Sequence, residues 1–364
     1  MFRSLLRAIF PSAFVKKTTP NYEYFHLLKS VGESNNTANI SVSQEPFLSQ
    51  IDNLAGQIKD HQEIDYDKLF FDLLFGDDDT QYINKIDPLS DYVADQINDL
   101  LLRPQNLISE LPVMPASVDA VLTAINNKNF NVNEILNIIA KEPSMAASMI
   151  KLANTAKYRR SDVPIVSLKS AFMVMGSQRL LEGVVYVFIN NFSPKNTPYF
   201  KYFGTKIWQH ALQTALISKD LADKSSNIDN ASAAYLIGLL RNLGEMIIFD
   251  LMVEAFHHVD PSATPSSQTF KALISYHSIS LTAAIVSKWN LPPMIIETIK
   301  QQENKQLIKS PLATLIEEAS FISKLQSLYS YKKINQEQYE LACQQLKNEQ
   351  VKAYALNVLP VTTE

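Results

Sequence analysis

Leu236-Ile-Gly-Leu-Leu-Arg-Asn-Leu-Gly-Glu-Met-Ile-Ile248 is apolar on nearly every side when wound as a helix, and its polar exceptions are Arg241, Asn242 and Glu245. A helix that is apolar all round belongs in a core. Arg and Glu are rarely buried there without a partner. The stretch therefore predicts one buried helix that carries three polar side chains into the interior. Glu245, one turn beyond Arg241, is placed to pair with it.

Composition sets the frame around that helix. A chain of 364 residues has room for two or three domains. Only 8 glycines stand against 46% apolar residues, and Leu, Ile, Ala, Lys and Gln are abundant, so the expected fold class is all-α. A net charge of −4 gives no electrostatic case for nucleic acid as a partner. Cys343 is the single cysteine and has no disulfide partner in the chain, which points to a reducing, cytoplasmic compartment. No apolar run reaches the roughly 18 residues that a bilayer span requires. No Gly-rich phosphate loop is present.

Residues 1–105 read as a mostly helical N-terminal region that carries no motif. Leu5, Leu6, Ile9 and Phe10 share one face of a short helix, with Arg3 and Arg7 opposite and Pro11 as a stop. Such a basic amphipathic start either packs on its own protein or, through Met1–Phe14, lies on a membrane surface. Arg7 splits the apolar run, which argues against a signal peptide. Ser30–Gln44 reads as a linker, and helices are expected over Phe47–Lys59, Tyr66–Leu74 and from Pro88 to Leu102. Gly76-Asp-Asp-Asp79 lacks the remainder of a calcium loop and reads as a solvated turn.

Helix punctuation sharpens from Leu111 onward. Pro115 suits a helix N-terminus, Asn131 a cap, Glu142-Pro143 a break and restart, and Gly176 a C-cap after Ser167–Met175. Further helices are expected from Gln178 to Phe188, from Ile207 to about Leu221, and from Lys271 to Lys288. Another starts at Met294, and Leu312–Leu328 and Gln336–Leu356 read as two C-terminal helices.

Seven pieces in this order resemble one family. They are Leu111-Pro-Val-Met-Pro115, Lys141-Glu-Pro143, Leu152-Ala-Asn154 with Tyr158, Leu168 through Ala171 to Met175-Gly176, Trp208-Gln-His210, Leu236–Gly244 and Trp289-Asn-Leu-Pro292. Together they are similar to the HDOD domain, a helical relative of HD-type metal phosphohydrolases found in bacterial signalling proteins. The resemblance covers residues 106–305 and leaves 306–364 as C-terminal helices that pack on the domain or on a partner. It implies a multi-helix, HD-like bundle with a helical extension at each end.

The resemblance also gives the polar positions a meaning. HD enzymes carry a segment of the form small-Leu-Leu-His-Asp-Ile-Gly-Lys. Here Arg241 and Asn242 stand at its His-Asp pair and Glu245 at its Lys, while His210 corresponds to the first metal-binding His. The later His pair corresponds to Gln301-Gln302, and His277 falls one position early for another expected ligand, about 100° of helix rotation away. Arg241 offers a cation no lone pair and stays charged, and Asn242 is a poorer ligand than Asp. The resemblance thus implies no catalytic residue, no metal and no cofactor.

Three readings of His210, Arg241, Asn242 and Glu245 stay open: a structural polar cluster, an anion pocket for a small phosphate-bearing ligand, or a surviving metal site. The implied role is a non-catalytic regulatory or interaction module with protein partners in bacterial signal transduction. Its rivals are a metal-dependent phosphohydrolase acting on nucleotides or phosphodiesters, and a membrane-surface adaptor. Elsewhere, His257-His258 reads as a helix-end pair, and His26 and His61 have no constellation around them. Asn154 and Tyr158 read as structural, joining a helix end to the following loop. Ser170, Ser177 and Cys343 have no neighbouring base.

Overall fold

The computed structural model describes residues 2–10, 64–75, 88–126, 131–158, 162–195, 199–228, 230–261, 265–303 and 308–358. Among these residues every regular element is an α-helix, as the composition predicts. The helix expected over Phe47–Lys59, the Ser30–Gln44 linker, the Gly76–Asp79 turn, His26 and His61 lie outside the described residues. The chain forms two compact units that do not follow its linear order. Unit 1 comprises Met1–Leu111, Pro194–Phe203 and Gly244–Leu281, and unit 2 comprises Pro112–Ser193, Gly204–Leu243 and Thr282–Glu364. The residues read as C-terminal helices thus fall in the same unit as much of the segment before them.

Unit 1 contains α1 (Arg3–Ile9), α2 (Tyr66–Phe75), α3 (Pro88–Leu102), α4 (Gln105–Ser109) and most of α12 (Leu243–Val259) and α13 (Ser267–Lys288). Its core is aromatic. Phe203 and Phe249 stack with ring centroids 3.9 Å apart, and Phe75, Phe200 and Phe270 close round them edge-on or tilted. The apolar face of α1 is spent here. Phe2, Leu5, Leu6 and Phe10 are buried, the Phe2 amide donates to Glu254 at 3.0 Å, and Phe10 meets the Tyr92 ring edge-on. His258 Nε2 donates to the Phe10 carbonyl at 3.3 Å. In this conformation α1 packs on its own protein, and its apolar side chains are not offered to a membrane.

Unit 2 is assembled from α5 (Ala116–Asn126), α6 (Val132–Ala140), α7 (Pro143–Ala153), α8 (Leu168–Met175), α9 (Ser177–Asn190), α10 (Phe203–Lys224, from Gly204), α11 (Ala231–Leu240), α14 (Pro293–Lys300), α15 (Pro311–Ser330), α16 (Gln336–Cys343) and α17 (Glu349–Asn357). The short motifs of the sequence turn out to be joints between these helices. Glu142 accepts from the Ser117 amide at 2.9 Å and from the Ser117 hydroxyl, so the carboxylate of Lys141-Glu-Pro143 caps the positive N-terminus of α5. Asn154 donates to the carbonyls of Ile150 and Ile165 and accepts from the Ile165 amide, which ties the end of α7 to the next loop.

Trp289-Asn-Leu-Pro292 ends α13 in a Schellman turn: Asn290 takes φ +52°, the Leu291 amide reaches the Val286 carbonyl, and the Asn290 amide reaches Ser287. Trp289 then packs on Phe188 and Phe192. Helix α9 is buried along most of its length and packs against α5, α7 and α11, while α11 also meets α14 and α15. Gly238 sets the approach of α11 to α10, because a Cβ there would lie 2.9 Å from the Ala215 Cα.

Two expected helices are each divided. The buried stretch at 236–248 is not one helix but the end of α11 and the start of α12, with Arg241 and Asn242 at the junction. The Thr282 hydroxyl donates to the Arg241 carbonyl at 3.4 Å. The stretch 336–356 divides at 344–348, where Glu318 accepts from the amides of Lys347 and Asn348, and Asn348 then caps α17. No single helix among the described residues is long and apolar enough to cross a membrane.

Candidate functional site

The site residues of unit 2 are carried by helices that pack on one another. His210 lies on α10, Arg241 and Asn242 follow α11, Gln302 follows α14, and Ser320, Ser323 and Lys324 lie on α15. Caps fix where these helices begin: Asn230 accepts from the Ala233 amide at 2.9 Å to start α11, and Ser310 caps α15. Gln301, neighbour of Gln302, accepts from the Ser310 amide at 2.8 Å and so links the end of α14 to the start of α15.

His210 is buried, 1% exposed, and is held from α15. Its Nδ1 lies 2.8 Å from the Ser323 hydroxyl, and that hydroxyl donates to the His210 carbonyl at 3.3 Å. The Ser323 hydroxyl thus sits between Nδ1 and the carbonyl of the same residue. Nε2 faces the Ser320 hydroxyl at 3.5 Å. Burial pushes the imidazole pKa well below its usual range, and the nearby charges of Lys324 and Arg241 push the same way. His210 is therefore a neutral ring at physiological pH.

Arg241 is half-buried, and its Nε donates to the Gln302 side-chain carbonyl at 2.7 Å. The expected partner was Glu245. The chain leaves α11 between the two residues, so the i,i+4 geometry of a continuous helix does not apply. Glu245 is buried in the first turn of α12 and belongs to unit 1. Asn242 is fully buried at the junction. His277 is buried in unit 1, where its Nε2 donates to Asn98 at 2.8 Å, and burial lowers its pKa to about 4. Of the positions read from the sequence, unit 2 brings His210, Arg241 and Gln302 into one polar seam.

A divalent ion does not suit this donor set. His210 has its ring nitrogens turned to two serine hydroxyls, Gln302 has its carbonyl oxygen on a guanidinium, and two cations already act on His210. An HD-type centre needs several imidazole and carboxylate donors on one ion. Among the described residues no three His, Cys, Asp or Glu side chains converge in that way. Burial pushes the Cys343 thiol up to about 11, which leaves it protonated.

The sequence reading did not single out Ser320, Ser323 or Lys324. A Ser-x-x-Ser spacing puts two hydroxyls on one face of an otherwise buried helix, and that was the signal available. Gln302 had been placed at a former ligand position without being joined to Arg241.

Comparisons with known proteins agree with this architecture. A crystal structure of an HDOD domain protein with unknown function from Geobacter sulfurreducens superimposes with a TM-score of 0.51 at 19% identity, over 72% of this chain and 88% of that one. That of a candidate phosphohydrolase from Shewanella amazonensis SB2B gives 0.50 at 19% identity, over 71% and 93%. At such identities the likeness speaks for the fold alone. An uncharacterized protein of Treponema pallidum (strain Nichols) is 23% identical over 208 residues, which is 54% of this chain and 38% of that protein. The similarity thus spans well under half of that relative's length. The HDOD domain profile matches residues 111–305, more than half of the sequence, and on that ground the chain belongs to the HDOD domain family.

Proposed function

We propose that this protein is a non-catalytic HDOD regulatory module that works in signal transduction by contacts with protein partners. One observation carries the reading: the Nε of Arg241, the residue that the family resemblance sets at the His position of HD enzymes, is bonded to Gln302 at 2.7 Å. A permanent positive charge there repels a divalent ion. Without that ion the site has no means to activate water or to polarise a phosphoryl oxygen. What is left of the HD site serves as a joint between α10, α11, α14 and α15, helices that a bound partner or ligand would have to shift together. Protein partners of such a module fit a reducing, cytoplasmic setting, in line with the single cysteine, which is buried.

The test is turnover. Protein purified without chelator and assayed with Mn, Mg or Fe on phosphodiester and nucleotide substrates should show no activity above the His210→Ala variant. Stoichiometric bound metal, with turnover that His210→Ala abolishes, would return the protein to the phosphohydrolases. Partner capture with the full chain, read by mass spectrometry, then identifies what the module holds.

A further inference from the structure

The seam of unit 2 holds hydrogen-bond donors with no protein acceptor. Gln302 is 8% exposed and spends its carbonyl oxygen on Arg241, while its amide Nε2 is buried with no partner among the described residues. Arg241 uses Nε on Gln302, and its backbone amide and carbonyl on Ile237 and Thr282; among the described residues its two terminal nitrogens have no hydrogen-bond acceptor. The Gln302 amide is thus a buried donor without an acceptor, which is rare in folded proteins and asks for a water, an ion or a ligand. The nearby charges select among these. Arg241 is permanently charged and its charge reaches the neutral His210, so the Gln302 amide lies beside a cation.

We propose that Arg241 and Gln302 form a binding site for a small phosphate-bearing anion, with the terminal guanidinium nitrogens and the Gln302 amide donating to phosphate oxygens. A guanidinium edge matches two phosphate oxygens at once, and a tetrahedral, multiply charged group offers further oxygens to a donor that approaches from another direction. The partial exposure of Arg241 gives such an anion a route from solvent. This site rests on the non-catalytic reading, because a metal held by the same residues would need the guanidinium elsewhere. It also supplies that reading with an input: phosphate occupancy bridges the ends of α11 and α14 and so biases the helices that meet there.

Calorimetric titration of the full chain with inorganic phosphate, in EDTA and a chloride background, tests the site. Saturable binding is expected for the wild type. Gln302→Glu keeps an acceptor for Arg241 Nε but turns the amide donor into a carboxylate oxygen. Binding should weaken at least tenfold while the melting temperature does not fall. Absence of saturable phosphate binding by the wild type, or equal affinity in the folded Gln302→Glu protein, would overturn the proposal. If Gln302→Glu melts early, Arg241→Lys decides, since it keeps the charge and loses the fork: a tenfold loss supports the site and unchanged affinity refutes it. Because EDTA removes turnover from this experiment, a failure here leaves the non-catalytic reading intact, and the metal-dependent assay judges that reading separately.

Discussion

The centre of unit 1 and the seam of unit 2 are filled with different material, although unit 1 also buries His277 on Asn98. The centre of unit 1 is a cluster of phenylalanines that pack ring on ring, with Phe203, Phe249 and Phe270 all fully buried. Unit 2 carries a polar seam through its helices: His210 between Ser320 and Ser323, Arg241 on Gln302, and Lys219 on Glu182 at 2.5 Å between α10 and α9. Packing alone favours the first arrangement, because a buried ion pair is seldom more stable than well-packed apolar side chains of the same volume. Polar groups retained in a core are a place to look for function. On the proposed reading, the aromatic cluster of unit 1 is scaffold and the seam of unit 2 receives the signal.

Substitutions separate the two kinds of core by size and by character. Phe249→Ala removes the stacked ring at the centre of unit 1 and should cost about 3–5 kcal/mol in urea denaturation. A cost below about 1 kcal/mol would deny the cluster its scaffold role. In unit 2, Gly238→Ala forces a methyl group against the Ala215 backbone and should cost about 1–3 kcal/mol. Arg241→Ala should cost a similar ~1–3 kcal/mol, since it leaves the Gln302 oxygen without its donor. An unchanged melting temperature in Arg241→Ala would show that the seam contributes no structure.

Acidification gives a smaller and more specific effect. His277 titrates near 4 in the fold and near 6.5 when unfolded, so above about 6.5 neither state binds the proton and nothing is lost. Between those values the unfolded chain takes up a proton that the native state refuses, and stability falls with falling pH by at most about 1.4 kcal/mol per unit. His210 acts in the same direction. Asp250 opposes them: burial, with Glu254 adding to it, raises its carboxyl to about 7, so the native state gains stability as pH drops through that value. The reading is therefore the difference between wild type and His277→Gln, which keeps a donor for Asn98 and should show a shallower loss between pH 7 and 5. Parallel slopes would contradict a neutral, buried His277. The smallest effect is expected at the surface, where Lys352→Ala breaks the i,i+3 pair with Glu349 and should change stability by about 0.5 kcal/mol or less.

Local signals were the legible ones. Asn131 caps the helix its side chain announced, Gly176 ends α8 at φ +79°, and Asn154 binds a helix end to its loop. Most of the ordered HDOD pieces were legible for the same reason, since they hold a cap, a break or a turn with its own chemistry; Trp208-Gln-His210 instead lies inside α10. Partners far apart in the chain were not. Arg241 was matched with Glu245 because a continuous helix makes i,i+4 neighbours, but one helix ends at Leu240 and the next starts at Leu243, and Gln302, 61 residues away, accepts from the Arg241 Nε. The break within 336–356 depends on Glu318, which no local pattern connects to Lys347. The composition of the two units is likewise a matter of long-range packing, since each gathers three separate stretches of sequence.

The central claim is that a guanidinium, and not a metal ion, occupies the HD position of this chain. A crystal soaked in manganese and measured at the manganese absorption edge tests it most directly. The expected result is no anomalous peak between His210 and Asn242, with Arg241 Nε still within hydrogen-bond distance of Gln302. A peak bridging His210 and Asn242, with Arg241 swung away, would contradict the account.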